Sequence, residues 1–145
     1  MTSSPASFNT WPTDAVDSSG PVLVTAQGLL MYLAPDEVHA LLGVIAERIP
    51  RGAIVFDAVS GRLSRRSMRG GVGAPGTYQP PPWTWGIDRS ERRAIAAIPN
   101  LSGLRRVPLP RGRGAAFGVV VPVLGRVPPL RDALLSIWRA RLGEG

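Results

Sequence analysis

The stretch Pro21-Val-Leu-Val-Thr-Ala-Gln-Gly-Leu-Leu-Met-Tyr-Leu33 constrains the fold of this chain more than any other. Val22, Leu23 and Val24 form a continuous apolar run rich in β-branched residues, which reads as a strand buried on both faces. The run stops at Gln27-Gly28, a polar residue followed by a flexible one. Leu29 to Leu33 is apolar again apart from the phenol of Tyr32. Ala34-Pro35-Asp36-Glu37 then opens a helix, with proline near the first helical position and acids in the first turn. Strand, polar elbow and helix make one α/β unit. In open α/β sheets, ligands sit just beyond the carboxyl ends of such strands.

The helix predicted over residues 35–49 carries Val38, Leu41, Leu42, Ile45 and Ile49 on one apolar face, and Pro50-Arg51-Gly52 ends it. Ala53 to Val59 reads as a second buried strand, so Val22 to Val59 is a right-handed βαβ unit with parallel pairing. Asp57 is an acid inside that apolar run. It is either a cofactor or substrate contact or a strand-end acid capping nearby backbone, and the residues alone leave both open. His39 is the only histidine. It lies off the apolar stripe with no obvious acidic partner and reads as a surface residue rather than a general base.

Beyond Ser60 the periodicity weakens. Gly61 to Met68 suits a short helix, and Gly71-Val-Gly73-Ala-Pro-Gly76 satisfies a dinucleotide fingerprint in letters only. That fingerprint works after a strand and before a helix; here Thr77-Tyr-Gln-Pro-Pro-Pro-Trp83 follows and cannot begin a helix, so the motif is rejected. A long irregular loop in a compact domain is commonly a lid. Tyr78, Trp83 and Trp85 either give this one an aromatic surface over an apolar substrate or plug the flank of the sheet. Asp88 to Ile98 reads as a short helix capped by Asp88 or Ser90, with Ile95 and Ile98 inward. Leu101 to Leu109 reads as a strand and Ser136 to Leu142 as a last strand anchored by Trp138. Between them, Gly114 to Val127 is open between a strand, which Val119 to Leu124 suits by composition although Pro122 is wrong for a central one, and a helix broken near Pro122; Leu130 to Leu134 reads as a short helix.

Composition sets the outer bounds. A chain of 145 residues, 44% of them hydrophobic, can build one domain with its own core. It has no cysteine, so disulfides and thiolate metal sites are excluded, and no metal site is expected. The first residues lack the build of a signal peptide and no apolar run reaches the length of a membrane span, so a cytoplasmic protein with no membrane partner is expected. All 17 basic residues are arginine and the net charge is +7. The arginines are scattered along the sequence, and the densest group, Arg62, Arg65, Arg66 and Arg69, is followed by Gly-rich sequence. Nucleic acid is therefore not the expected partner, and an Arg-rich nucleic-acid-binding module is the weaker alternative reading.

Gln27-Gly28-Leu29-Leu30-Met31-Tyr32-Leu33 resembles the E-G-L-L-M-Y-L motif of the leucine carboxyl methyltransferase family, and its bacterial polyketide O-methyltransferase branch most of all. Gln27 replaces the acid of that motif. Ile54-Val-Phe-Asp-Ala-Val59 is similar to the family's next strand, and Trp85-Gly-Ile-Asp88 to its W-G-I-D segment. The resemblance spans roughly Trp11 to Leu142 but covers only the second half of the family's domain. It implies an α/β fold, the carboxyl-terminal half of a Rossmann-like methyltransferase sheet, with parallel strands, a terminal antiparallel pair and helices on both faces. Residues 1–20 would be a loosely ordered segment and 21–145 a partial domain. It implies S-adenosylmethionine as cofactor, with Gln27 and Gly28 facing it, and a small-molecule acceptor facing Tyr32, Trp83 and Trp85. The glycine-rich turn and the ribose-binding acid of the family's first half have no counterpart here, so the chain alone is expected to bind the cofactor weakly or not at all. The same shortfall suits a non-catalytic remnant, or a subunit whose site is completed by a partner chain. The strand at 21–27, left at the sheet edge, would be the place of self-association or of that partner.

Overall fold

The computed structural model describes residues 15–70, 76, 79, 81–108 and 135–143. The elements in chain order are β1 (Val22–Ala26), α1 (Pro35–Arg48), β2 (Gly52–Ala58), α2 (Gly61–Gly70), α3 (Arg89–Ala96), β3 (Leu101–Val107) and β4 (Ser136–Leu142), with a single 3-10 turn at Leu30–Tyr32 after β1. The four strands form one mixed α/β sheet in the order β1-β2-β4-β3. β1 pairs parallel with β2 through the α1 crossover, Val22 opposite Gly52 and Ala26 opposite Phe56. β4 lies between β2 and β3 and runs antiparallel to both. A parallel pair followed by an antiparallel terminal pair is the arrangement expected from the sequence.

Local chemistry places each helix. In α1 the Glu37 carboxylate accepts the Ala34 N–H at 2.9 Å, satisfying one of the donors a helix start leaves open. Val38, Leu41, Leu42 and Ile45 are buried as their spacing requires, and Ile49 packs against them. Asp88 caps α3 by accepting the Glu91 N–H at 3.0 Å. α2 departs from the apolar rule: its buried residues are Gly61, Ser64 and Ser67. The Ser64 hydroxyl donates to the Trp83 carbonyl and the Trp83 N–H donates to Ser67 Oγ, both at 2.8 Å. A serine stripe at three-residue spacing thus pins the incoming chain by hydrogen bonds.

The core sits on one face of the sheet, where Ile54, Phe56, Ala58, Trp138 and Ala140 meet α1, Ile95 of α3 and Trp85. Trp85 is only 1% exposed and its ring lies 6.2 Å from that of Phe56, tilted by 57°. Two expectations are corrected here. β1 is not buried on both faces, because Leu23 is 65% exposed and Thr25 is exposed while Val22 and Val24 are half-buried. Only one face of this strand is covered, so its burial alternates residue by residue although the sequence run is continuously apolar. Trp85 does not belong to an accessible aromatic surface; it plugs the flank of the sheet. Tyr78, most of the glycine motif at 71–76, the first fourteen residues and the stretch from 114 to 134 lie outside the described residues.

Candidate functional site

The carboxyl ends of β1, β2 and β3 point to one edge of the sheet, and β4 begins there. Over β1 stands the elbow. Gly28 has a φ of +58°, a left-handed conformation that glycine adopts without steric cost. Its N–H donates to both carboxylate oxygens of Asp57, at 2.8 and 3.1 Å. Of the two readings of Asp57, capping of nearby backbone is therefore the one seen. The turn continues with Leu30 and Met31 buried, while Gln27, Leu29 and Tyr32 stay exposed. The Met31 carbonyl accepts the N–H groups of Thr84 at 2.8 Å and Trp85 at 3.2 Å, and the Leu33 carbonyl accepts the Thr84 hydroxyl at 2.7 Å. The elbow is thus tied to the segment that ends in Trp85-Gly-Ile-Asp88.

That segment turns out to be architectural residue by residue. Trp85 fills the core and donates its indole N–H to Glu91 Oε2 at 2.9 Å. A Cβ on Gly86 would stand 2.5 Å from the Ser60 carbonyl oxygen, so only glycine lets the two backbones meet. Ile87 bridges to Ser60, its N–H donating to the Val59 carbonyl at 2.8 Å. Asp88 caps α3. This one crossing brings the starts of α2 and α3 side by side.

Over β2, β4 and β3 lies a cavity of about 490 Å³ lined, among the described residues, by Arg62 and Arg65 of α2, Arg89 and Arg92 of α3, and Arg105 and Arg106 of β3, with Ser60, Asp88, Ser136 and Trp138. Six arginines and one aspartate contribute to this lining. Asp88 is 3.7 Å from Arg65, and Arg92 stands over the Trp138 ring at 5.9 Å from its centroid. Donation by the Ser90 hydroxyl, then by the Glu91 N–H, holds the Asp88 carboxyl below its ordinary range. Ser136 accepts the Trp138 indole N–H and donates to the Ala58 carbonyl, so its hydroxyl is spoken for.

Gln27, Gly28 and Tyr32 stand together at the elbow, whereas Trp83 is half-buried beside α2 and Trp85 lies in the core. None of the five lines the arginine cavity. The arginines were the residues missed. Scattered in sequence, they converge in space, and the available signal was spacing: Arg62/Arg65 and Arg89/Arg92 are each three apart at the start of a helix. His39 is also corrected: its Nε2 lies 2.9 Å from Glu91 Oε2, the same oxygen that accepts from Trp85. No group of three or more metal-ligating side chains occurs among the described residues, and no helix among them is long and apolar enough to cross a membrane.

No family model and no curated protein matches the sequence. The fold is similar to that of a possible exported protein from Bordetella parapertussis, with a TM-score of 0.50 and 16% identity, covering 84% of this chain and 39% of that one. It is more distantly similar to magnesium protoporphyrin IX methyltransferase from Synechocystis PCC 6803 with bound SAH, at a TM-score of 0.44 and 12% identity over 92% of this chain and 49% of the other. This chain therefore spans less than half the length of either structure.

Proposed function

We propose that this chain is the carboxyl-terminal part of an S-adenosylmethionine-dependent O-methyltransferase domain that acts on a carboxylate or hydroxyl of a polyketide-like small molecule. The observation that carries the reading is the elbow: a motif of seven ordered residues, read first from sequence, is built as an exposed polar turn at the carboxyl end of a strand, with its glycine amide clamped by Asp57. The described residues fit one wall of a cofactor site and no more, since Gln27 offers a side-chain amide and Gly28 a backbone open to close approach. S-adenosylmethionine would supply the methyl group from its sulfonium. Gln27 and Gly28 would hold its near side, and Tyr32, 43% exposed, would orient the acceptor. Trp83 offers the acceptor only a partly buried edge and Trp85 none. A carboxylate acceptor is ionised at neutral pH, so positioning suffices and no general base is required of this chain.

β1 is the seam where the rest of such a domain would attach. The Val22 N–H donates to the Arg51 carbonyl on the β2 side, so the backbone groups of Leu23 and Thr25 face outward and have no strand partner among the described residues. A further strand, from a completing half or from a partner chain, would satisfy them and cover Leu23.

The test is amide-resolved NMR of the chain titrated with S-adenosylhomocysteine. Shifts at Gln27, Gly28 and Tyr32 are expected, without saturation below about 100 μM, because a single wall provides far less than the roughly −8 kcal/mol of a micromolar site. No shift at the elbow at millimolar ligand refutes the reading, and so does saturable low-micromolar binding centred elsewhere. Sedimentation of the chain at high concentration checks the seam: a stable monomer counts against β1 as a pairing edge.

A further inference from the structure

We propose that the arginine-lined cavity is a binding site for a small organic phosphate, held by guanidinium groups from three separate elements. This rests on the cavity alone and does not require the methyltransferase reading.

The charge balance is the first argument. Among the described residues, the arginines that α2, α3 and β3 bring to the lining outnumber its one aspartate, around a space of about 490 Å³. Like charges crowded at this density repel one another, and an anion of two or more charges removes that cost. Among the described residues the lining offers one acid against this, and Asp88 is committed to capping α3 and to Arg65.

The second argument is donor chemistry. Planar guanidinium forks bind phosphate oxygens in pairs, which makes arginine the residue of phosphate recognition. The two helix starts at the rim add a favourable field. Their amides are largely used: Leu63 N–H goes to Ser60 Oγ, Gly61 N–H to the Ile87 carbonyl and Glu91 N–H to Asp88. The guanidinium groups therefore do the recognising.

Shape decides between a small anion and a nucleic acid. The arginines ring a concavity of the size that takes one small molecule instead of following a stripe. Trp138, the aromatic residue of the lining, is buried beneath Arg92 and presents no stacking face.

Calorimetry and thermal unfolding of the full chain with pyrophosphate as probe, at ionic strength fixed with chloride, test the site. Pyrophosphate is expected to bind with one-to-one stoichiometry and to raise Tm beyond any effect of chloride. The double substitution Arg62→Gln with Arg89→Gln, both at exposed positions, should weaken binding by about tenfold or more. Arg66→Gln with Arg69→Gln removes the same charge from α2 off the cavity and should leave binding unchanged. Equal loss in the two double variants would reduce the effect to net charge and overturn the site. So would an absence of stabilisation over chloride. Citrate binding tighter than pyrophosphate overturns the phosphate assignment, and a 20-mer oligonucleotide that displaces pyrophosphate overturns the small ligand.

Discussion

Over β1 the chain places its exposed polar groups with one continuous run, Gln27 to Leu33, whereas over β2, β3 and β4 it collects six arginines from three separate stretches. In the first region one short run carries most of the geometry: a glycine turns left-handed, and a single carboxylate 29 residues on, in the neighbouring strand, receives its amide. In the second it is a product of packing, because α2, α3 and β3 must all be in place before the guanidinium groups meet. The segment Trp83 to Asp88 serves both, tied to the elbow through Met31 and to the cavity rim through Ser60 and α3. A local site survives damage to its surroundings better than an assembled one, and that difference is measurable.

The largest expected effect is from Trp85→Ala. Truncating a buried tryptophan costs about 3–5 kcal/mol, and it also deprives Glu91 of the indole N–H. Unfolding followed by circular dichroism should show a large loss of Tm, with both regions affected together; an unchanged Tm would return Trp85 to the surface. Gly86→Ala comes next, at about 3 kcal/mol or less, since the methyl meets backbone and not a movable side chain. It should abolish pyrophosphate stabilisation while the Gly28 amide, held by Asp57 of β2 and not by this segment, keeps its chemical shift. Gly28→Ala should cost only about 1–2 kcal/mol, because a Cβ there meets nothing within 4 Å and only the φ of +58° resists it. Gly28→Asn should recover part of the loss and Gly86→Asn none, and the reverse order would invert this account of the two glycines.

Asp88→Asn should have the smallest effect and the most specific one. The carboxyl is held low by the Ser90 hydroxyl and the Glu91 amide, with Arg65 adding a lesser part. A lowered folded value means that the ionised form stabilises the fold above the unfolded value near ~3.9, and that this stabilisation disappears as pH falls through the folded value. The wild-type advantage over the variant should thus be present at neutral pH, begin to shrink as pH falls past the unfolded value, and vanish only below the lower folded value. Asparagine still caps a helix, so the gap in Tm at neutral pH should be slight.

What was legible in the sequence follows the same division. The apolar stripe of α1, the proline and acids at its start, and the elbow are all contained in windows shorter than twenty residues, and each was found where it was expected. β1 was misjudged because periodicity reports apolar content and not which face has a neighbour: Val22, Leu23 and Val24 look alike in sequence, yet only alternate ones are covered. α2 showed little pattern because its inward stripe is Gly61, Ser64 and Ser67, which packs by hydrogen bonds and leaves no apolar signal. The partner of His39 lies 52 residues away, beyond any local window. The arginines failed for the same reason: residues 62 and 89 become neighbours through the backbone crossing that Gly86 permits, and residue 106 joins them only once β3 pairs with β4.

The place of β4 has a consequence for the order in which the protein can be made. Among the described strands it is the last to leave the ribosome, yet it stands second from one end of the sheet and supplies partners to both β2 and β3. Until residues 136–142 clear the exit tunnel, β2 has only β1, and β3 has no strand beside it. During synthesis the βαβ unit therefore waits with a second open flank, where Ile54, Phe56 and Ala58 carry the apolar face that Trp138 and Ala140 will later extend. Such a delay favours pairing with other nascent chains. Emergence of β4, rather than collapse of the first half, then sets the moment at which the arginine cavity comes into existence.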